Sequence, residues 1–316
     1  MTSVRDRIDP ESRIPLDGLL QVIPGGFNSI SDIVARREFR DQLLSATPVP
    51  KNPNVVISHH LAPGPDGELG VRVYSPRNVS SPAPGLIYIH GGGMIMGGLE
   101  GEDGTCQMLA DSLGAVIASV DYRKAPENPY PAGPEDCFAA ASWVFHNAEE
   151  LGINSDNVGI YGPSAGGGLA IAVALMARDR GGPSFSYMVP IHPMIDDRNV
   201  SESSHMVVDV GIWDRDGSLE AWSWYLGGSE ADHYAAPARA ENLSGLPPTF
   251  MDVGELDMFR DENIEFAKRL SEADVPVEFH LWPGSYHASE IFAAEASLSQ
   301  RIWATRLAGI ARLINR

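Results

Sequence analysis

Gly162-Pro163-Ser164-Ala165-Gly166 reads G-x-S-x-G and joins a short apolar run to a run of small residues. The run before it, Asn157–Tyr161, predicts a buried parallel strand, and the run after it, Gly166–Ala177, predicts a helix. A serine on such a strand-to-helix turn has a strained backbone and a hydroxyl exposed above the sheet. Glycines flank it because side chains there would collide with neighbouring elements. The stretch therefore predicts that Ser164 is a nucleophile, with the N–H groups of a helix N-terminus beside it.

A second glycine motif follows another apolar run. Residues 84–89 predict a strand, which ends in His90-Gly91-Gly92-Gly93. Glycines at such a strand end let the backbone approach a substrate closely and point N–H groups at a carbonyl oxygen under attack. We expect the N–H groups of Gly91, Gly92 and Ala165 to form an oxyanion hole. We expect His90 to orient the glycine loop by a hydrogen bond and not to act as a base.

Together these motifs resemble the hormone-sensitive-lipase-like (bacterial family IV) branch of the α/β-hydrolase fold. The resemblance covers roughly residues 50–316. Its motifs come in the family's order, as His90–Gly93, Asp121–Glu127, Tyr130–Ala132, Gly162–Gly167, Leu246–Pro248, Gly254–Glu262 and Pro283–His287. Two positions depart from the family's pattern. Pro163 stands where the family usually has an acidic residue or threonine, and Ala288 follows His287 where the family often has glycine. Both departures leave the catalytic groups in place but bear on the shape of the substrate pocket.

The arrangement of apolar runs predicts a mostly parallel sheet flanked by helices. Val55–Ala62 and Leu69–Tyr74 alternate like an antiparallel hairpin around a Pro-Asp-Gly turn. Apolar strands then alternate with helices, which is the pattern of an α/β fold with helices on both faces of its sheet. These strands are Leu86–Ile89, Val116–Val120, Val158–Tyr161, Tyr187–His192, Thr249–Val253 and Val277–Leu281. The resemblance implies the α/β-hydrolase fold, with an eight-stranded sheet and a helical cap.

Two segments are expected to form that cap. Residues 1–50 show helical patterns and no alternating strand, and an insertion at about residues 198–245 interrupts the strand–helix alternation. By the resemblance, both segments cover the active site, and residues 51–316 form the catalytic domain that carries the insertion. The helical pattern of the first segment has one apolar stripe. This stripe comprises Ile30, Ile33, Val34 and Phe39.

A base and an acid must accompany the nucleophile, and in this fold they follow it in the order acid, then histidine. Of nine histidines, only His287 follows the region of Asp257 at the end of a strand, where parallel sheets collect their ligand groups. Asp257 lies between a strand and a helix, and it matches the family's acid. We expect His287 to take the proton of Ser164 and Asp257 to fix the imidazole tautomer. Two alternatives stay open: Asp257 as a helix N-cap, and Glu255 as the acid.

The substrate pocket is harder to read from the sequence. We expect Met94 and Met96, which follow the glycine loop, to form an adaptable wall. We also expect Ile195 and Trp213 to contact the substrate. The alternatives are that the methionines pack beneath the loop, and that most rings of the aromatic cluster at residues 213–225 pack between helices.

Composition excludes several classes of function. The chain has 316 residues with 42 acidic and 23 basic side chains, a net charge of −19 that disfavours nucleic acids and anionic membranes as partners. Apolar residues make up 43% without a membrane-length run. Cys106 and Cys137 lack metal-ligand spacing, and no P-loop, CxxC or HExxH motif occurs, so we expect no metal and no cofactor. The N-terminus lacks a secretory pattern, which predicts a cytoplasmic protein. The sequence leaves a homodimer open.

These observations predict a serine carboxylesterase that hydrolyses short- to medium-chain acyl esters through an acyl-enzyme. Lactone hydrolysis and acyl transfer to an alcohol would use the same groups and are alternatives. A non-catalytic receptor on this fold is a further alternative, because the gibberellin receptors resemble the family but have lost the catalytic histidine. The presence of His287 favours the enzyme.

Overall fold

The computed structural model describes residues 3–45 and 49–316, and in these residues the chain folds around one sheet of eight strands. In chain order, the strands are β1 (Val55–Gly64), β2 (Gly67–Pro76), β3 (Ala83–Ile89), β4 (Val116–Asp121), β5 (Ile153–Pro163), β6 (Tyr187–Ile191), β7 (Thr249–Gly254) and β8 (Val277–Trp282). In space, they follow the order β1-β2-β4-β3-β5-β6-β7-β8. The β1–β2 hairpin and the β2–β4 pair are antiparallel, and all other neighbours are parallel. The predicted mostly parallel, eight-stranded sheet is confirmed.

Helices cover both faces of this sheet. They are α1 (Pro10–Val22), α2 (Ile33–Ser45), α3 (Asp103–Leu113), α4 (Ala132–His146), α5 (Ala165–Arg180), α6 (Glu202–Met206), α7 (Arg215–Leu226), α8 (Arg260–Glu272), α9 (Ser289–Phe292) and α10 (Ser297–Ile314). Successive side chains of a strand point to opposite faces. Accordingly, Leu86 and Tyr88 of β3 share an apolar cluster with Leu109 of α3, whereas Ile87 belongs to a second cluster with Leu169 of α5.

The N-terminal segment lies against the sheet's helices and against the insertion between β6 and β7. The Asp9 N–H donates to the Gly284 carbonyl at 3.0 Å, which ties the start of α1 to the loop after β8. Arg36 of α2 is buried and pairs with Glu220 of α7 at 2.6 Å. The two segments predicted to form a cap therefore contact each other, although residues 1–2 and 46–48 of the first segment lie outside the described residues.

The predicted stripe of α2 is correct only in part. Ile33 and Phe39 pack against the core, but Val34 is 52% exposed. Because an α-helix turns by about 100° per residue, the buried side of α2 passes through Ile33, Arg36 and Arg40, and Val34 falls outside it. A buried arginine with a carboxylate partner occupies a place that an apolar pattern would not predict.

The parallel strands β5, β7 and β8 end at the same edge of the sheet, and the loops that follow them carry the candidate site. Among the described residues, no helix combines the length and the apolar character that crossing a membrane requires.

Candidate active site

Ser164 sits on the turn between β5 and α5 in a conformation that is rare for a side-chain-bearing residue. Its φ is +56° and its ψ is −122°. Its N–H donates to the Ile191 carbonyl of β6 at 2.8 Å, which holds the turn against the sheet. A Cβ on Gly166 would overlap the Ile89 carbonyl, and one on Gly162 would overlap the backbone of Gly166. Both glycines are thus required by close packing, as the sequence predicts.

The structure brings Ser164, His287 and Asp257 into one hydrogen-bonded chain. The Nε2 atom of His287 lies 2.9 Å from Ser164 Oγ, and its Nδ1 atom lies 2.7 Å from Asp257 Oδ2. The other Asp257 oxygen accepts the Phe259 N–H at 2.9 Å, and the side chain is fully buried. The residue that immediately precedes α8 is Phe259, two positions after Asp257. Such a chain can transfer a proton from a serine hydroxyl to an oriented imidazole.

The other carboxylates of this region face elsewhere. Glu255 pairs with Arg7 and accepts the Gly284 N–H at 3.0 Å. Asp261 lies in the first turn of α8 and accepts the Ser203 N–H at 2.7 Å. Neither contacts His287, which is bonded to Asp257.

The glycine loop after β3 and the first residue of α5 lie next to Ser164. A Cβ built on Gly91 would lie 3.5 Å from Ser164 Cβ, so the glycine loop passes directly beside the serine. Among the described residues, the N–H groups of Gly91 and Gly92 have no acceptor. Gly92 has a φ of +110°, which favours glycine. Ala165 begins α5, where the N–H groups of the first turn lack a partner within the helix. This arrangement can accept the charge that develops on an ester carbonyl.

Comparison with known proteins identifies the family. The family model that describes the alpha/beta hydrolase fold matches residues 86–291. The carboxylesterase NlhH of Mycobacterium tuberculosis is 34% identical over 322 residues, which covers 99% of this chain and 98% of that protein. The chain belongs to the hormone-sensitive-lipase-like family of α/β-hydrolase carboxylesterases. Esterase LipI of the same organism is 36% identical over 249 residues, covering 76% of this chain and 77% of that protein. The solved structure of a bacterial heroin esterase superposes with a TM-score of 0.92, at 37% identity over 99% of both chains.

In this carboxylic ester hydrolase, a cavity of about 210 Å³ opens at Ser164 and His287. Its apolar wall combines residues of the N-terminal segment, the glycine loop, the insertion and α9. They include Phe27, Leu43, Met96, Ile212, Trp213 and Phe292. The N-terminal segment and the insertion therefore shape the space in which a substrate must fit.

Two of the four residues predicted to contact the substrate do not line this cavity. Met96 and Trp213 lie on its wall. Met94 is instead 2% exposed, with a φ of +61° that turns its side chain beneath the glycine loop toward α5. Ile195 is fully buried behind the wall, where its N–H donates to Glu262 at 3.0 Å. In this structure Met94 therefore packs beneath the loop, and neither Met94 nor Ile195 lies on the cavity wall.

His90 holds the glycine loop of the esterase as predicted. It is fully buried, its Nδ1–H donates to the Gly91 carbonyl at 2.8 Å, and its ring stacks on Tyr122 at 4.2 Å between centroids. Burial, with a smaller contribution from the charge of Lys124, lowers the pKa of His90 to about 3. The ring is thus neutral at ordinary pH and structural.

One residue at the site is absent from the sequence-based prediction. His192 follows β6, lines the cavity, and packs its ring against that of His287 at 4.6 Å between centroids. A signal for it existed, because His192 ends an apolar strand at the same sheet edge as the other site residues. Its partners Glu290 and Asp252 were not predictable from the sequence, because they lie on elements far from His192 along the chain.

The described residues offer one cluster with the composition of a metal site, formed by His192, Asp257 and His287, whose potential ligand atoms lie within 4.8 Å. The Nδ1 atom of His287 and Oδ2 of Asp257 are already joined by a hydrogen bond of 2.7 Å. Because a metal would have to displace the proton between them, we do not assign these residues as metal ligands.

Proposed function

We propose that this carboxylesterase acts as a serine esterase on short- to medium-chain acyl esters, through an acyl-enzyme intermediate. The observation that carries the proposal is the chain from Ser164 through His287 to Asp257, with bonds of 2.9 and 2.7 Å, at the floor of an apolar cavity. An ester suits this site because an alkoxide leaves readily, whereas an amine needs stronger protonation. The intact His287 argues against a receptor.

In the proposed mechanism, the neutral imidazole of His287 takes the proton as Ser164 Oγ attacks the ester carbonyl. Asp257 holds the Nδ1 proton and stabilises the imidazolium. The N–H groups of Gly91, Gly92 and Ala165 bind the oxyanion, and loss of one comparable donor costs about 3–4 kcal/mol of transition-state stabilisation. The imidazolium then protonates the leaving alkoxide. Water, activated by the same imidazole, releases the acid and restores the serine.

We assign residues 1–50 and 198–245 to a cap over the site, because side chains from both segments line the cavity. Leu43 of α2 and Trp213 of the insertion both line the cavity. A Cβ on Gly93 would overlap the Trp213 ring, so the insertion rests directly on the glycine loop. A wall built from these side chains limits the length of the acyl chain that fits.

Acyl-chain preference tests the proposal. Across p-nitrophenyl esters from acetate to dodecanoate, we expect kcat/KM to be highest for short and medium chains and to fall for the longest. Rapid mixing with the acetate ester should give a burst of p-nitrophenol if an acyl-enzyme accumulates. A rising rate up to dodecanoate would contradict the proposed chain-length range.

The variant Leu43→Asp tests the cap. A charge on the apolar wall should lower kcat/KM for the hexanoate and octanoate esters by about tenfold or more, because burial of an aliphatic side chain is worth about 1.5–3 kcal/mol. Hydrolysis of the acetate ester should change by less than about twofold. Val34→Asp is the matched control, since Val34 lies on the same helix but is exposed and away from the cavity. If both variants have the same chain-length profile as the unmodified enzyme, α2 is not part of the substrate site.

Metal removal should not affect turnover. The site has its own base and N–H donors, so incubation with EDTA followed by dialysis should leave the rate on the acetate ester unchanged. A control sample dialysed without EDTA corrects for losses in handling. A large loss of activity that one divalent ion restores would overturn the metal-free mechanism.

A further inference from the structure

His192 is fixed from two directions next to the proposed catalytic base. Its ring packs edge to face against the ring of His287, with an interplanar angle of 71°. The ring of Phe259 also packs edge to face against His287, with 5.2 Å between ring centroids and an interplanar angle of 84°. His192 is 3% exposed. Its backbone N–H donates to the Asp252 carbonyl at 2.8 Å, and its neighbour Ile191 holds the Ser164 N–H. A displacement of His192 would therefore change the positions of both Ser164 and His287.

The imidazole of His192 belongs to a buried network of hydrogen bonds and ion pairs. Its Nε2 atom lies 3.2 Å from Glu290 Oε1, and the same oxygen accepts from Arg306 at 2.6 Å. Arg306 also binds both carboxylate oxygens of Asp252, at 2.7 and 3.0 Å. The backbone carbonyl of Asp252 accepts the backbone N–H of His192. These four residues come from the end of β6, β7, α9 and α10, and none is more than 3% exposed.

Among the described residues, Arg306 is the one arginine that joins the two carboxylates of this network. Two carboxylates, Asp252 and Glu290, face one guanidinium, Arg306. Burial by itself raises the pKa of Glu290, but the interactions with Arg306 and His192 outweigh it and hold that pKa well below its usual range.

Other ionisable groups lie near this network and the ring of His287. They are Asp257 after β7, Glu262 of α8, Tyr161 of β5 and Tyr286 of the His287 loop. Burial raises the pKa of Glu262 and of both tyrosines. The carboxylates that bond directly to the two histidines are Asp257, on His287, and Glu290, on His192.

We propose that His192 is a positioning residue for His287, and that the buried negative charge of Glu290, transmitted through His192, stabilises the imidazolium formed when Ser164 attacks. With Nε2–H donated to Glu290, the ring of His192 is held against the ring of His287. The inference rests on the proposed serine mechanism, because it assigns support to the imidazole of that mechanism. It makes Glu290 a second anion acting on His287, behind Asp257.

The charge-removing variant Glu290→Gln tests this proposal, since it keeps the shape and an acceptor oxygen. We expect kcat to fall by about tenfold with KM for the acetate ester unchanged. The acid limb of the kcat/KM profile should move to lower pH by up to about one pH unit, because a less stabilised imidazolium loses its proton sooner. Glu290→Asp retains the charge and should restore the position of this limb even if packing suffers. If Glu290 had only a structural role, Glu290→Gln would change the melting temperature but not the acid limb of the kcat/KM profile.

Glu278→Gln is the matched control. Glu278 also pairs with a histidine and with an arginine of α10, namely His280 and Arg312, but at the surface. It should leave kcat and the pH profile unchanged. His192→Phe keeps a ring but breaks the link to Glu290, so Glu290→Gln should have little further effect on the pH profile in that background.

Three outcomes separate the failure of this inference from the failure of the proposed function. If Ser164→Ala is inactive but Glu290→Gln has the pH profile and kcat of the unmodified enzyme, the inference alone is wrong. An additive effect of Glu290→Gln in the His192→Phe background would likewise overturn transmission through His192. If Ser164→Ala remains active, the serine mechanism fails and this inference fails with it.

Discussion

Ser164→Ala should abolish ester hydrolysis while the protein remains folded. The hydroxyl is the atom that forms the acyl-enzyme, and removal of the nucleophile from a comparable triad lowers kcat by on the order of 10⁶. The alanine side chain fits wherever the serine side chain fits, and Ser164 N–H keeps its bond to the Ile191 carbonyl through the backbone. The melting temperature should therefore stay close to that of the unmodified enzyme. Steady-state hydrolysis of the acetate ester measures the loss.

Covalent labelling gives the same assignment a second readout. An organophosphate or sulfonyl fluoride should add one group to the unmodified enzyme, and peptide mass spectrometry should find it on Ser164. Ser218→Ala is a suitable control, because Ser218 is a buried serine of α7 that bonds to Asn199 at 2.9 Å. It should retain both activity and the label on Ser164. An adduct on another serine of the unmodified enzyme would contradict the mechanism.

Asp257→Asn should lower kcat by up to about 10⁴ with little change in melting temperature. The amide oxygen can still accept the Phe259 N–H. The amide N–H₂ group, however, would face His287 Nδ1 as a donor and would favour the tautomer with its proton on Nε2. That tautomer cannot accept the proton of Ser164. Because asparagine caps a helix about as well as aspartate, the start of α8 should be disturbed little.

Variants of neighbouring carboxylates control for this prediction. Glu255→Gln and Asp261→Asn should keep most activity, since these side chains bind Arg7 and the Ser203 N–H and do not contact His287. Asp252→Asn is not a suitable control, because breaking its buried pair with Arg306 should cost about 3–5 kcal/mol of stability. An active Asp257→Asn together with an inactive Glu255→Gln would move the role of the acid to Glu255.

The fold was predictable from the sequence because its main features depend on local patterns. The strand and helix runs appear as apolar periods, and the turn at Ser164 needs glycines at 162 and 166 whatever lies beyond them. The order of serine, acid and histidine along the chain is that of the α/β-hydrolase fold. The three groups meet because parallel strands place their carboxyl ends at one edge of the sheet. The sequence could therefore indicate Ser164, Asp257 and His287.

Side-chain direction within the pocket was not predictable in the same way. Met94 and Met96 have the same residue type and are two positions apart, yet Met94 packs beneath the loop and Met96 lines the cavity. The difference arises from backbone torsions in the loop, such as the positive φ of Met94, which have no period that a sequence pattern could reveal.

By itself, the sequence determined the sheet, the serine turn and the order of the groups that accompany it, because each depends on neighbours within one or two elements. Only the tertiary structure decided which side chains from different elements meet. His192, Asp252, Glu290 and Arg306 span more than a hundred positions, and they form one buried network only after β6, β7, α9 and α10 have packed together. A buried charge is tolerated only where its partners converge, and that convergence is a property of the packed fold.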